Sequence, residues 1–167
     1  PQLFVTGDGE ECWRRAPQSA AGRKGTMFPL RRAGTIVPLP RLRALFEALK
    51  GEGYILAIAT GRPRSELLGP LDRWNLLRFF DPARLSTNDE VAFAESSVES
   101  AVQALRLSKP HPYAVLRALY PGASDAEVLR RSGSGTQHPE AVVIGDSVGD
   151  VVAAKRAGCL ALAVLSG

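Results

Sequence analysis

The sequence predicts an α/β fold, a parallel sheet covered by helices. Three observations carry that expectation. The runs YILAIAT (Tyr54–Thr60) and AVVIGD (Ala141–Asp146) are apolar almost throughout, as strands buried on both faces must be. Segments with helical spacing of apolar residues alternate with these runs. Each run also ends in small or polar residues, TGR and GDS, that suit a turn into the next helix.

The elements follow in order. PQLFVT reads as a short strand, and GDGEECWRRAPQSAAGRKG as polar loop with one helical turn. Pro29, Pro38 and Pro40 break the stretch after it. PRLRALFEALKGEG places Leu42, Leu45, Phe46 and Leu49 at helical spacing, with Pro40 at the start and Gly51 at the end, which predicts an amphipathic helix. The strand Tyr54–Thr60 comes next, then a turn and a helix whose Leu67, Leu68, Leu71 and Trp74 mark an apolar side. A brief strand is expected at Arg84–Thr87, a helix over Glu90–Leu105, and another through Ala114–Leu119 following the SKPHPY turn, within which Pro110, next to Lys109, is expected to open a helix. PGASDAEVLRRSGSGTQHPE reads as a surface connection with one helical turn and a mobile SGSGTQ centre. The strand AVVIGD, the helix VGDVVAAKRAG and the strand CLALAVLSG complete the chain.

A chain of 167 residues, 45% hydrophobic and 23% charged, fits one globular domain with a real core. No apolar run has the length of a membrane-spanning helix, and PQLFVTGDGE lacks a basic-then-apolar leader pattern. Cys12 and Cys159 have no metal-type spacing and read as free thiols in a reducing cytoplasm, with a lone disulfide between them as the alternative. The net charge of +4 comes from scattered arginines, with pairs at Arg14–Arg15, Arg31–Arg32 and Arg130–Arg131 that have no interleaved aromatics. That pattern describes a solvated surface rather than a nucleic-acid face, and a mildly basic field also suits an anionic small molecule.

In open parallel sheets, ligands bind beyond the carboxyl ends of the strands. There the sequence places Thr60, Gly61 and Arg62 after one strand and Gly145, Asp146, Ser147 and Asp150 after another, with Lys109 in the connection between them. A hydroxyl, backbone N–H groups and an ammonium suit a phosphoryl group. Two carboxylates spaced this way repel each other unless a cation joins them, and Mg²⁺ is the hard cation that takes one or two carboxylates. The set predicts magnesium-assisted phosphate chemistry.

IATGR, LSKPHPY and VVIGDSVGDVVAAKRAG resemble, in order and spacing, the second, third and fourth motifs of the haloacid dehalogenase-like hydrolases, especially the phosphoglycolate phosphatase-like branch. The resemblance implies a Rossmann-like core over residues 38–167, with residues 1–37 an irregular segment that ends a cap domain. It implies that Thr60 hydrogen-bonds the transferring phosphoryl group, with Gly61 offering its N–H, and that Lys109 neutralises charge on the nucleophile and phosphate. Asp146 would ligate Mg²⁺, and Asp150 would ligate it or hold its waters. Ser147 and Gly149 would allow the tight turn, and Ala153 and Ala154 would let the next helix approach the sheet. The implied activity is that of a cytoplasmic phosphatase acting on a small phosphorylated metabolite through an aspartyl-phosphate.

One departure stands out. The family's first motif, an aspartate-x-aspartate at the end of the first strand, supplies nucleophile and general acid/base. No such motif precedes Thr60, and the nearest candidate, Asp8-Gly9-Glu10, lacks the second aspartate and the Gly-Thr that follows it. Relatives also continue past the position of LSG through one more strand and helix. The nucleophile and most of the cap are therefore expected upstream, in a longer protein. The competing reading is a non-catalytic phosphate-binding or regulatory domain that lost its nucleophile, and a phosphomutase is a third.

Each residue also has a structural explanation. Thr60 could cap the next helix, Lys109 could be a surface lysine, and Asp146 and Asp150 could be a helix cap and a first-turn acid. His111 and His138 read as surface residues near turns, Arg62 as a substrate contact or a solvated side chain, and Trp13 and Trp74 as packing residues.

Overall fold

The computed structural model describes residues 2–5, 38–97 and 106–164. Its elements are β1 (Gln2–Val5), α1 (Leu39–Gly51), β2 (Ile55–Ala59), α2 (Arg64–Arg73), a 3₁₀ turn (Leu77–Phe79), β3 (Phe80–Ser86), α3 (Asn88–Ser97), α4 (Tyr113–Leu119), α5 (Asp125–Ser132), β4 (His138–Gly145), α6 (Val148–Arg156) and β5 (Cys159–Ala163). The strands form one five-stranded sheet in the order β3-β2-β1-β4-β5. Every pairing is parallel. The α/β class is as the apolar runs predict.

The alternation of β2 divides the core in two. Leu56 and Ile58 join Phe46, Leu67, Leu71, Leu76, Phe79, Phe80 and Leu85 on the face covered by α1 and α2. The Phe46 ring stands edge-on to Phe79 and Phe80, with centroids 5.5 and 5.4 Å apart. On the other face, Ala57 and Ala59 meet α4 and α6 through Tyr113, Leu116, Ala153 and Ala154. These small residues let the helices lie close to the sheet, as expected of Ala153 and Ala154, which are fully buried.

Several elements depart from the sequence expectations. Gln2–Val5 is the middle strand of the sheet, so a division at residue 37 does not separate these four residues from the core. The rest of the 1–37 segment, with Trp13 and Cys12, lies outside the described residues, as does the 98–105 part of the helix expected over Glu90–Leu105. The β3 strand begins at Phe80 rather than Arg84, and Pro82 is accommodated because β3 is an edge strand. Leu45 is exposed, since α1 buries Phe46 and turns Leu42 and Leu49 only partly inward. The helix after Lys109 opens at Tyr113 with Pro112 as its N-cap, not at Pro110.

The expected single turn after Pro121 is the two-turn helix α5. Its Ser124 hydroxyl accepts from the Glu127 N–H, acids occupy the first turn, Arg130 and Arg131 occupy the last, and Val128 is fully buried. The SGSGTQ segment is tied down locally: Ser134 Oγ donates to Arg131 O at 2.8 Å and meets Thr136 Oγ1 at 2.7 Å. At Gly158, with φ +72°, an added Cβ would lie 2.1 Å from the Thr136 carbonyl oxygen, so the chain crosses here only as glycine. His138 is buried rather than at the surface, its Nε2 3.2 Å from the Tyr120 hydroxyl.

Candidate active site

The site forms where β2 and β4 end, on either side of β1. Two strand spacings separate those ends, roughly 10 Å, and Lys109 bridges the gap. Its Nζ donates to the Ala59 carbonyl oxygen at the end of β2 (3.1 Å) and pairs with Asp150 Oδ1 on α6 at 2.7 Å. Only 7% of the lysine side chain and 1% of the aspartate is exposed, which rules out a surface lysine. The Lys109–Pro110 peptide bond is cis.

Asp150 has both oxygens engaged. Oδ2 accepts from the Ser147 N–H (3.1 Å) and the Ser147 hydroxyl (2.8 Å), while Ser147 Oγ accepts from the Asp150 N–H. This reciprocal pair is a capping box that starts α6. Burial would raise the Asp150 pKa, but the hydrogen bond and charge of Lys109 and the bonds from Ser147 outweigh it and hold the carboxyl below its ordinary value. Asp146, at the end of β4, differs. Its Oδ1 is buried and has no hydrogen-bond partner among the described residues. At Gly149 an added Cβ would make only ordinary contacts, 3.5 Å to Ser147 Oγ and 3.6 Å to Lys109 Cβ, so packing does not demand glycine there.

Thr60 is buried at the end of β2, where its N–H donates to Ser86 O of β3 at 2.9 Å and its Oγ1 accepts from the Arg62 N–H at 3.2 Å. The hydroxyl thus shapes the turn into α2, and Gly61 is exposed beside it. Arg62 is 12% exposed and pairs with Glu66 at 3.7 Å, so it is not a solvated side chain. Trp74 packs against the α1–α2 core. His111 accepts from the Tyr113 N–H through Nδ1, and burial followed by the charge of Arg156 lowers its pKa.

A second network, which the sequence reading missed, holds the Thr60 turn from outside. The Asn88 N–H donates to Arg62 O, the Arg64 N–H donates to Asp89 Oδ2, and Arg64 Nη2 donates to both Leu85 O and Glu90 Oε1. Glu90 Oε2 in turn accepts from the Thr87 N–H and hydroxyl. The legible signal was Thr87-x-x-Glu90, a capping-box pattern at the start of α3.

The sequence profile of a hydrolase family, the haloacid dehalogenase-like hydrolases, matches residues 9–158. The chain belongs to this family. Among solved structures, the chain resembles a protein determined by X-ray crystallography as a structural-genomics target, at 29% identity and a TM-score of 0.72 over 79% of this chain and 34% of that one. Looser likenesses include a predicted phosphoglycolate phosphatase from Haemophilus somnus 129pt (26% identity, 77% of this chain and 44% of that one, TM-score 0.49). Another is a haloacid dehalogenase-superfamily hydrolase from Ehrlichia chaffeensis (25% identity, 72% and 46%, TM-score 0.45). At those TM-scores neither carries an argument about this chain. No curated protein matches the sequence. The chain spans about a third of the length of the first solved structure it resembles.

For a haloacid dehalogenase-like hydrolase, the donor set fits a hard cation in one respect. The orphaned Asp146 Oδ1 is an anionic oxygen available for a ligand, whereas the Asp150 oxygens are committed to Lys109 and Ser147. Among the described residues, no three acidic, histidine or cysteine side chains cluster as a ready cation cage. No described helix is long and apolar enough to cross a membrane.

Proposed function

We propose that this chain is the phosphate-handling core of a Mg²⁺-dependent phosphatase that cleaves a small phosphorylated metabolite by way of an aspartyl-phosphate. The observation that carries the reading is the Lys109 bridge, a buried ammonium held between Ala59 O at the end of β2 and Asp150 Oδ1 on α6. An ammonium fixed there neutralises charge on a phosphoryl group and on a carboxylate that attacks it. Thr60 and the N–H of Gly61 orient the phosphoryl oxygens, Asp146 would hold Mg²⁺, and Asp150 keeps Lys109 in place. The metal would supply charge neutralisation at the phosphoryl oxygens.

The attacking carboxylate is the part the described residues do not supply. By family resemblance it belongs at the end of the strand between β2 and β4, and here that strand is β1, which Thr6, Gly7 and Asp8 follow in the chain. An upstream strand bearing the nucleophile would have to take the place of β1, whereas Asp8 would require a diverged first motif. Because a threonine directly follows β1, a phosphate-binding module without turnover is the second reading.

The deciding experiment assays the 167-residue chain, its Asp8→Asn variant and an N-terminally extended chain on an aryl phosphate with Mg²⁺. Turnover only in the extended chain supports an upstream nucleophile, and turnover abolished by Asp8→Asn assigns Asp8. No turnover in any chain, with phosphate still bound, selects the binding module. Loss of phosphate binding altogether would sink the phosphate reading.

A further inference from the structure

The turn from β2 into α2, residues 60–63, is clasped by the corner between β3 and α3. The Thr60 N–H donates to Ser86 O at 2.9 Å, the Asn88 N–H donates to Arg62 O at 3.0 Å, and the Arg64 N–H donates to Asp89 Oδ2 at 3.1 Å. Gly61 lies exposed between the first two of these bonds. The third bond is a helix cap supplied from outside the helix. Arg64 is the first residue of α2, and the N-cap residue, Pro63, has no side chain that can accept from its N–H. Asp89, in the first turn of α3, provides the acceptor.

Asp89 is itself held in place. Its N–H donates to Thr87 Oγ1 at 3.3 Å, and the fully buried Thr87 donates its hydroxyl to Glu90 Oε2. Glu90 Oε1 accepts from Arg64 Nη2 at 2.8 Å, so successive carboxylates fix the backbone and the side chain of Arg64. Holding both ends of a short turn removes conformations that would otherwise be lost only when a ligand binds. Charge supplies an independent observation. Asp89 is exposed and accepts from a backbone N–H rather than from a cation. A carboxylate beside a turn that receives an anion repels that anion, so any gain it brings to phosphate binding comes through geometry.

We propose that Asp89 is a positioning residue for the phosphate-binding turn. By capping α2 from α3, it holds Thr60 and Gly61 in the arrangement that receives phosphoryl oxygens, without touching the phosphate. The inference rests on the reading of Thr60 and Gly61 as phosphate contacts.

Two uncharged variants isolate the hydrogen bond. Asp89→Asn keeps an acceptor for the Arg64 N–H and Asp89→Ala does not, while both remove the same charge. The position is exposed, so both variants should fold. Inorganic phosphate titrated into the nitrogen-labelled chain and followed at the Gly61 amide resonance measures the affinity of each. The asparagine variant should bind at least as tightly as the parent, and the alanine variant several-fold more weakly. Without phosphate, relaxation dispersion at the Gly61 and Arg62 amides should grow in the alanine variant alone. Phosphate binding as tight in the alanine variant as in the asparagine one would overturn the proposal and leave the phosphate reading intact. A Gly61 resonance that phosphate does not move in the parent chain would overturn that reading and the proposal with it.

Discussion

The Lys109 ammonium and the Asp150 carboxylate meet at 2.7 Å with almost no solvent on either side chain. Lys109 lies in the connection before α4 and Asp150 in the first turn of α6, so the pair ties that connection to the start of α6. Removing one member leaves a buried charge without compensation, which costs about 3–5 kcal/mol. Lys109→Ala should therefore unfold at a clearly lower denaturant concentration and lose phosphate binding. Lys109→Arg should recover little of either, because a planar fork does not fit the space of a compact ammonium. Stability within about 0.5 kcal/mol of the parent in the alanine variant would contradict the burial of the pair.

The two aspartates of GDSVGD should separate on substitution. Asp146→Asn removes a charge whose Oδ1 has no partner among the described residues, so the fold should survive while Mg²⁺ affinity falls several-fold or more in calorimetry. Asp150→Asn breaks the ion pair with Lys109 and weakens the capping box, so its first effect should be on unfolding. Equal stability losses in the two variants, with Mg²⁺ affinity unchanged by Asp146→Asn, would remove the distinction.

Glu90 links stability to pH. Burial would raise its pKa from the ordinary 4.5, but hydrogen bonds from Thr87 and Arg64 outweigh burial and leave it lowered. A carboxyl with a depressed pKa in the folded state contributes stability above its unfolded value and loses it as pH falls through the folded one. The stability difference between the parent and Glu90→Gln should thus be constant near neutrality and shrink as pH drops below about 4.5. Chemical unfolding at several pH values measures it, and a difference that grows with acid would reverse the sign argued here.

Cys159 should be inert. Burial, then the negative charge of Glu140, push its thiol up to about 12, and the thiolate is the reactive form. Iodoacetamide at mildly alkaline pH should leave Cys159 unmodified in the folded protein and alkylate it in denaturant, as peptide mass spectrometry would locate. Rapid native alkylation at this position would show that the start of β5 opens readily.

The α/β class and most elements were legible in the sequence because they follow from local periodicity. The run Ile55–Ala59 needs no knowledge of its neighbours to be recognised as buried on both faces, and the Gly-Asp-Ser turn after β4 marks where a ligand could sit. Local pattern also carried signals that were passed over, among them the caps Ser124-x-x-Glu127 and Thr87-x-x-Glu90. Tertiary structure alone decided the strand order that puts Gln2–Val5 in the middle, the burial of His138 against Tyr120, and the exposure of Leu45. It alone decided which aspartate Lys109 would pair with. Periodicity says which face of an element is apolar, but pairing partners far apart in sequence are selected by the packing of the whole sheet, where each burial depends on every other.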